Sequence, residues 1–287
     1  VSDVESYNDG FKINNSLINI TTPGYVYGQN YTVIDNHDGT YNLTIFTYQF
    51  ERATYSVDLM ASTWNFDTNT ANATSSFIFT IRQVITSLTY RPIQNTPWGN
   101  PVHFTLLYNI SDSAAENNGL GLNVSGWEVY NDSNLLTEGV HYTWSGSNGV
   151  FNFTISNTTL ANKVGYYTFT IHALSSTPEY KNASITGMQF YVRPLTTMFI
   201  YDPVPQIAWG NPASVYLYYY VSDSESLYHN GEFISGANIT VTNMGWTTPN
   251  NYSVQEYSSN YTMSISNLSL TNIQYYYLDI TANTPSN

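Results

Sequence analysis

The sequence predicts an all-β chain built as three tandem β-sandwich modules. Apolar and polar residues alternate with a period of two throughout, and no segment of ten or more residues shows a convincing 3.6-residue period. Turn signals such as Asp38-Gly39 and Asn230-Gly231 separate the β-rich runs. A phrase that ends in Trp-Gly-Asn-Pro occurs twice, at Tyr90–Pro101 and at Tyr201–Pro212, with a spacing of 111 residues between copies.

Each module follows the same order of elements. Trp-Gly-Asn-Pro leads into a first strand, and an acidic Ser-Asp loop follows it at Asp3, Asp112 and Asp223. A turn then leads to further strands, of which the last ends at Arg82 in the first copy and Arg193 in the second. Six or seven strands in about 110 residues without helices is the expectation for a β-sandwich. We expect modules at residues 1–88, 89–199 and 200–287.

The two terminal modules are predicted to be incomplete. Val1 aligns with Val221, so the first module lacks its opening strand, and Asn287 aligns with Pro178, so the third lacks its closing strand. An open sandwich edge exposes unpaired backbone groups unless something covers it. Three interpretations follow: the sequence is a window on a longer tandem array, neighbouring subunits donate the missing strands, or the terminal modules fold from fewer strands.

The repeated phrase is predicted to be the joint between modules. Its prolines and Gly-Asn-Pro turn favour a short, stiff connection over a flexible linker. The two tryptophans are either apolar plugs that seal the joint or exposed aromatic platforms for sugars. The predicted joint residues are Tyr90, Pro92 and Trp98 in one copy and Tyr201, Pro203 and Trp209 in the next.

Composition indicates an exported protein that does not bind nucleic acid. Only 9% of the 287 residues are charged, the formal net charge is −13, and Lys plus Arg number seven. Nucleic-acid binding needs Lys and Arg to displace counterions, and an anionic membrane would repel this chain. There are no cysteines, and no apolar run is long enough to span a bilayer. Val1 in place of Met fits a processed chain or a window cut from a longer one.

Asn-X-Ser/Thr sequons are the strongest compositional signal for an extracellular protein. There are 15, about twice the number expected from composition alone. In strands such as Tyr41–Ile45 and Phe151–Ile155, alternation turns the acceptor Asn outward; the alternative is that Asn and Thr only form a polar outer face. The predicted glycosylation sites are Asn14, Asn19, Asn30, Asn42, Asn72, Asn109, Asn123, Asn131, Asn152, Asn157, Asn182, Asn238, Asn251, Asn260 and Asn267.

Residues that carry chemistry are sparse. The five histidines show no metal-ligand spacing, and the sequence has neither a nucleophile elbow nor a phosphate-binding loop, so we expect no enzymatic activity and no cofactor. The acidic loops are the one candidate for Ca²⁺, which prefers several hard oxygen ligands. The alternative is that their aspartates cap local turns. The acidic-loop residues are Asp3, Glu5, Asp9, Asp112, Glu116, Asp223 and Glu225.

The turn Asp38-Gly-Thr-Tyr41 resembles turns of immunoglobulin-like and fibronectin-III-like modules. In style the whole chain resembles the tandem Tyr/Thr/Asn-rich domains of prokaryotic, especially archaeal, surface glycoproteins of the S-layer or fibre-forming type. The resemblance implies a structural subunit of a glycosylated extracellular fibre or layer whose partners are N-glycans and further copies of itself. Two alternatives remain: an adhesin or carbohydrate-binding array, and an accessory domain set of a secreted enzyme. The first alternative would use tyrosines or Trp64, Trp127, Trp144 and Trp246.

Overall fold

The computed structural model describes residues 16–62, 73–160 and 163–284. Within them the chain is all-β, and its only helices are two one-turn 3-10 segments. The chain divides into two compact units, of which unit 1 comprises residues 1–85 with 177–181 and unit 2 comprises residues 86–176 with 182–287. Tandem β-sandwiches, as the alternation predicts, make up the two units.

Unit 1 holds one small sandwich, with a sheet ordered β1-β4-β5 and a hairpin β2-β3, all antiparallel. Its core centres on buried Ile20, Tyr31 and Val57. In the same unit, the Val84 N–H donates to the Glu179 carbonyl at 2.9 Å. The elements are β1 (Leu17–Ile20), β2 (Tyr31–Asp35), β3 (Tyr41–Ile45), the 3-10 turn Thr47–Gln49, β4 (Thr54–Ser62) and β5 (Ala73–Thr80).

Unit 2 begins with a larger sandwich, formed by a five-stranded sheet β10-β9-β13-β14-β7 and a four-stranded sheet β11-β12-β8-β6. The short strand β7 is parallel to β14, and the other pairs are antiparallel. Its strands are β6 (Thr86–Tyr90), β7 (Thr96–Pro97), β8 (Val102–Ile110), β9 (Val124–Asn131), β10 (Asn134–Leu135), β11 (Tyr142–Ser147), β12 (Val150–Ile155), β13 (Gly165–Ser175) and β14 (Ala183–Arg193).

A second sandwich completes unit 2, with a four-stranded sheet β15-β16-β19-β18 and a pair β17-β20. Its elements are β15 (Thr197–Tyr201), β16 (Ala213–Val221), β17 (Asn238–Val241), β18 (Tyr252–Glu256), β19 (Tyr261–Ile265), the 3-10 turn Asn267–Ser269 and β20 (Ile280–Asn283). We refer to the three sandwiches, in chain order, as modules 1, 2 and 3.

Alternation along each strand builds the cores. Every second residue of β8 is buried from Val102 to Ile110, and every second residue of β16 is buried from Ala213 to Val221. The side chains between them are exposed or half-buried, because successive residues of a strand point to opposite faces of the sheet. The period-2 prediction is therefore confirmed.

Equivalent strands show which parts of the terminal modules are missing among the described residues. Strand β12 lies between β11 and β8, whereas its counterpart β3 pairs with β2 alone. Strand β13 lies between β9 and β14, whereas its counterpart β20 pairs with β17 alone. Module 1 thus lacks counterparts of β6 and β8 in the described chain, and module 3 lacks one of β14.

One tyrosine ties the two sheets together in each of the three sandwiches. Tyr31 and Tyr252 accept hydrogen bonds at 3.2 Å from the backbone N–H groups of Ile20 and Val241, and Tyr142 donates to the Trp127 carbonyl at 3.2 Å. All three tyrosines are at most 3% exposed. Because they begin equivalent strands, the same cross-sheet contact recurs with the sequence repeat.

We expect Tyr252→Phe to lower the free energy of unfolding of unit 2 by about 1 kcal/mol, because it leaves the buried Val241 N–H without its acceptor. Urea-induced unfolding followed by circular dichroism measures the change. Tyr216→Phe on β16 is the matched control, since Tyr216 is 50% exposed and water replaces its hydroxyl contacts. Equal losses in the two variants would contradict a structural role for the Tyr252 hydroxyl.

Candidate inter-module interface

Modules 2 and 3 are joined by a very short linker. Strand β14 ends at Arg193 and β15 begins at Thr197, so only residues 194–196 connect them. The predicted joint residues Tyr90 and Tyr201 instead end strands β6 and β15, and Pro92 and Pro203 after them are exposed. The predicted module boundaries, between residues 88 and 89 and between residues 199 and 200, fall inside strands β6 and β15. The division of the chain at those positions stays a proposal.

The phrase around Trp98 carries the chain from one sheet of module 2 to the other. After β6 it forms β7, which pairs with β14 at Val192 and Arg193. The Trp98 N–H then donates to the Arg193 carbonyl at 2.9 Å. Eight residues from Tyr90 to Trp98 reach at most roughly 28 Å in extended form, which is long enough to run along a sandwich. Trp98 therefore lies at the end of module 2 that meets module 3.

Residues Trp98–Asn100, here named the Trp98 loop, bind residues Ser222–Gly231 of module 3, here named the acidic loop. The Asn100 amide donates to the Glu225 carbonyl at 2.8 Å and accepts from the Leu227 N–H at 2.9 Å. Asn100 is only 6% exposed. One side chain thus satisfies both a donor and an acceptor of the neighbouring module's backbone, which fixes the position of the acidic loop.

An aromatic contact also joins the two loops. The Trp98 and His229 rings lie 4.9 Å apart between centroids at an angle of 32°, and His229 Nδ1 is 2.6 Å from Glu232 Oε2. Gly99 sits between them with φ +86°, and a Cβ added there would lie 2.6 Å from His229 Nε2. Glycine is therefore required at this position both for the backbone conformation and for the space.

An ion pair binds the other side of the acidic loop. Arg193 contacts Asp223 through both terminal nitrogens, at 2.5 and 3.0 Å, and reaches Glu225 at 2.7 Å. The Asp223 side chain is 3% exposed and that of Glu225 is 69% exposed. The bidentate geometry matches the planar guanidinium fork to a carboxylate, which is the strong form of such a pair.

The Asp223 carboxylate is stabilised in its charged form. The hydrogen bonds from the Arg193 guanidinium lower the pKa of Asp223 to about 2, with smaller contributions from the N–H groups of Thr196 and Glu225. The same hydrogen bonds to Asp223 and Glu225 raise the pKa of Arg193. The pair is therefore ionised at neutral pH.

The acidic loops use their aspartates as turn caps. Asp223 Oδ1 accepts from the Glu225 N–H at 3.2 Å, and Asp112 Oδ1 accepts from the Ala114 N–H at 3.1 Å. Within residues 16–62, 73–160 and 163–284, no group of three or more His, Asp or Glu side chains converges to hold a metal ion. Asp3, Glu5 and Asp9 lie outside the described residues. The arrangement at Asp223 supports the capping interpretation rather than Ca²⁺ binding, because Arg193 already neutralises that carboxylate.

A cleft of about 220 Å³ lies beside the Trp98 loop. The Asn157 amide at its edge donates to the Gly99 carbonyl at 3.1 Å and holds the loop in place. The cleft is lined by Trp98, Gly99, Asn157, Thr158, Leu160, Val192 and His229.

The other tryptophans differ widely in exposure. Trp127 is 6% exposed in the core of module 2, where half-buried Trp144 packs against it edge to face at 6.2 Å between ring centroids. Trp246 is half-buried near Tyr276. Trp209 is 75% exposed, and Trp64 lies outside the described residues.

Sequence reasoning missed Asn100, Arg193 and His229 as interface residues. A usable signal was present for the ion pair, because Arg82 and Arg193 are 111 residues apart and so are Asp112 and Asp223. Charged residues that recur together in a chain with seven Lys plus Arg are natural candidates for pairing. His229 has no counterpart at that spacing, so nothing in the sequence pointed to it.

The predicted glycosylation sites lie outside the cores. Asn14 and Asn72 are outside the described residues, and none of the other thirteen is buried. The amides of Asn157 and Asn267 donate to the carbonyls of Gly99 and Gly210, each at 3.1 Å. The exposed sites are Asn42, Asn123, Asn152, Asn157, Asn182, Asn238 and Asn267, and the half-buried sites are Asn19, Asn30, Asn109, Asn131, Asn251 and Asn260.

Comparison with solved structures finds tandem domains of titin at low identity. The I67–I69 I-band fragment of titin matches with 11% identity over 90% of this chain and 84% of that one, at a TM-score of 0.34. The I9–I11 tandem of titin matches with 8% identity over 95% and 84%, at a TM-score of 0.29. The titin domains Z1Z2 in complex with telethonin match with 13% identity over 64% and 82%, at a TM-score of 0.36.

All three TM-scores lie below 0.5, so the fold assignment rests on the strand order and pairing described above. No protein-family model matches the chain, and no curated protein sequence matches it. In the described part of the chain, none of the helices has the length and apolar character needed to cross a bilayer. The chain is a tandem array of β-sandwiches.

Proposed function

We propose that this chain is a structural segment of an extracellular glycosylated surface fibre or layer, in which β-sandwich modules follow one another head to tail. The observation that carries the proposal is the interface between modules 2 and 3. A linker of three residues, a bidentate ion pair and a two-way amide contact hold the acidic loop from two sides. The proposal assigns the chain no catalytic activity.

The geometry suits a mechanical role. Arg193 binds the acidic loop from the end of β14, and the Trp98 loop binds it from the segment before β8. Two attachment points on module 2, one at the end of β14 and one in the loop before β8, resist both bending and twisting of module 3. The inter-module contact is largely desolvated at Asp223 and Asn100, so it weakens little at high salt compared with an exposed ion pair.

Outward sequons support the glycosylated part of the proposal. Asn152 on β12 and Asn238 on β17 are exposed on strands whose neighbouring side chains are buried. Glycans at such positions would hydrate a surface that has few charges. They would also hinder edge-to-edge association of the open strands.

The adhesin alternative receives less support. Trp127 and Trp144 are committed to the core of module 2, and Trp246 is half-buried. A platform for sugar rings needs an exposed aromatic face, and the described tryptophans offer one only at Trp209. The other exposed aromatic faces are tyrosines, such as Tyr275 at 85% exposure.

Mass spectrometry of the native chain before and after chemical deglycosylation tests the proposal. We expect a large loss of mass and glycopeptides at most of the exposed sequons, among them Asn152 and Asn238. Asn148 and Asn230 are internal controls, because each lacks a Ser or Thr two residues later, and both should be unmodified. An unchanged mass would overturn the glycosylated surface function.

A further inference from the structure

The Trp-Gly-Asn sequence of module 3 forms a second loop of the same shape. We name residues Trp209–Asn211 the Trp209 loop. The Asn211 N–H donates to the Ala208 carbonyl at 3.1 Å, as the Asn100 N–H donates to the Pro97 carbonyl at 3.1 Å. Gly210 has φ +91° and Gly99 has φ +86°. The two turns therefore share one backbone conformation.

The same side-chain contact pins both loops. Asn267 donates to the Gly210 carbonyl as Asn157 donates to the Gly99 carbonyl, with equal lengths of 3.1 Å. The two asparagines hold equivalent places in the two modules. Each comes two residues after the buried isoleucine that ends its strand, Ile155 or Ile265, with one serine between them. The Trp209 loop is thus formed in advance of any partner, which lowers the entropic cost of binding.

The two loops differ in what covers them. Trp98 is half-buried against His229 and Asn100 is 6% exposed, because the acidic loop of module 3 lies on them. Trp209 is 75% exposed and Asn211 is also exposed. A preformed loop with an exposed tryptophan is typical of a binding hot spot, since large aromatic anchors dominate interface energetics.

The sequence contains one more copy of the segment that the Trp98 loop binds. Residues 221–226 read Val-Ser-Asp-Ser-Glu-Ser, and residues 1–6 read Val-Ser-Asp-Val-Glu-Ser. Five of the six residues are identical, and they include the counterparts of Asp223, Glu225 and buried Ser226. The Asn100 amide binds the backbone of this segment at Glu225 and just after it, at Leu227.

We propose that the Trp209 loop binds the segment Val1–Ser6 of a second copy of this chain, in the way that the Trp98 loop binds residues 221–226. The Asn211 amide and the Trp209 ring would take the roles toward this segment that the Asn100 amide and the Trp98 ring have toward the acidic loop. This proposal rests on the head-to-tail array of the proposed function. It names the surface that continues the array from one copy to the next.

Charge sets the expected strength of this contact. Each copy carries a net charge of −13, and like-charged copies repel at low ionic strength. We therefore expect weak association that strengthens as salt screens the repulsion.

A complementation experiment with the full chain tests the proposal. Sedimentation velocity from micromolar to millimolar protein, at low and high salt, should show concentration-dependent open-ended oligomers of the unaltered chain. Trp209→Ala destroys the proposed loop surface, and a variant lacking residues 1–6 removes the proposed segment. Each variant alone should be monomeric, with Kd at least tenfold weaker than that of the unaltered chain, which corresponds to about 1.4 kcal/mol. Mixed together, they should form a dimer limited to one copy of each.

Tyr275→Ala is the matched control, because Tyr275 is an exposed aromatic of the same module at 85% exposure, and it should leave assembly unchanged. Thermal unfolding by circular dichroism verifies that all three variants fold. The proposal is overturned if the unaltered chain stays monomeric at millimolar concentration, if Trp209→Ala assembles normally, or if the mixture fails to pair. Such a result together with glycosylated filaments in native material would leave the proposed function standing and move the contact elsewhere.

Discussion

Replacing Arg193 with alanine should lower the free energy of unfolding of unit 2 by about 3 kcal/mol, because it leaves the buried Asp223 carboxylate without its counter-charge. Two backbone N–H groups still bind that carboxylate, which keeps the loss at the lower end of the range for a broken buried pair. Urea-induced unfolding monitored by circular dichroism gives the value. The free energy of unfolding of Arg193→Lys should lie between those of the unaltered chain and Arg193→Ala, since lysine keeps the charge but loses the bidentate fork.

Glu225→Gln is the control for this prediction. Glu225 contacts the same guanidinium but is 69% exposed, so its loss should cost less than about 1 kcal/mol. A double-mutant cycle with Arg193→Ala and Asp223→Asn then isolates the coupling between the two buried groups. If Arg193→Ala and Glu225→Gln cost equally little, the ion pair does not stabilise the joint.

Acid should weaken unit 2 in a window set by the same carboxylate. The unfolded chain takes up a proton at Asp223 near its ordinary pKa of 3.8, whereas the folded chain does so only near a pKa of about 2. The unfolded state therefore binds more protons between these values, and stability falls as the pH drops through the window. The loss attributable to Asp223 should be up to about 2 kcal/mol and complete only below pH 2.

Urea unfolding at closely spaced pH values from 5 to 2 measures this loss. Other carboxylates also titrate in the window, so the informative quantity is the difference between the unaltered chain and Asp223→Asn. The variant should be less stable above pH 4 and should show a shallower decline below it. Parallel pH profiles for the two proteins would mean that Asp223 has the same pKa in the folded and unfolded states.

The strands were largely predictable from the sequence, because the sandwiches bury one face of each strand. Alternation in segments such as Val102–Ile110 gives both the element and its inward residues. The Asp38-Gly39 turn was also readable, since Gly39 adopts φ +82° between β2 and β3. The 111-residue repeat also aligns equivalent strands of the described modules, such as β3 with β12 and β20 with β13.

The role of the Trp-Gly-Asn-Pro phrase was not predictable. Periodicity reports which face of a strand is buried, but it does not report that a segment changes sheets, and β7 is only two residues long. The phrase was therefore interpreted as the boundary between two modules. In the structure, Trp98 lies at the end of module 2 that meets module 3. The role of the acidic loop was equally hard to predict. An aspartate that caps a turn and an aspartate that pairs with a distant arginine look the same in the sequence.

Electron microscopy of the native material tests the central claim most directly. The account predicts continuous filaments or a lattice in which beads the size of one β-sandwich repeat along a line at fixed angles, with glycan density on their outer surfaces. Isolated single chains with freely varying angles between modules 2 and 3 would contradict it. Such particles would show that the contacts of Arg193 and Asn100 with the acidic loop do not hold the modules in one orientation.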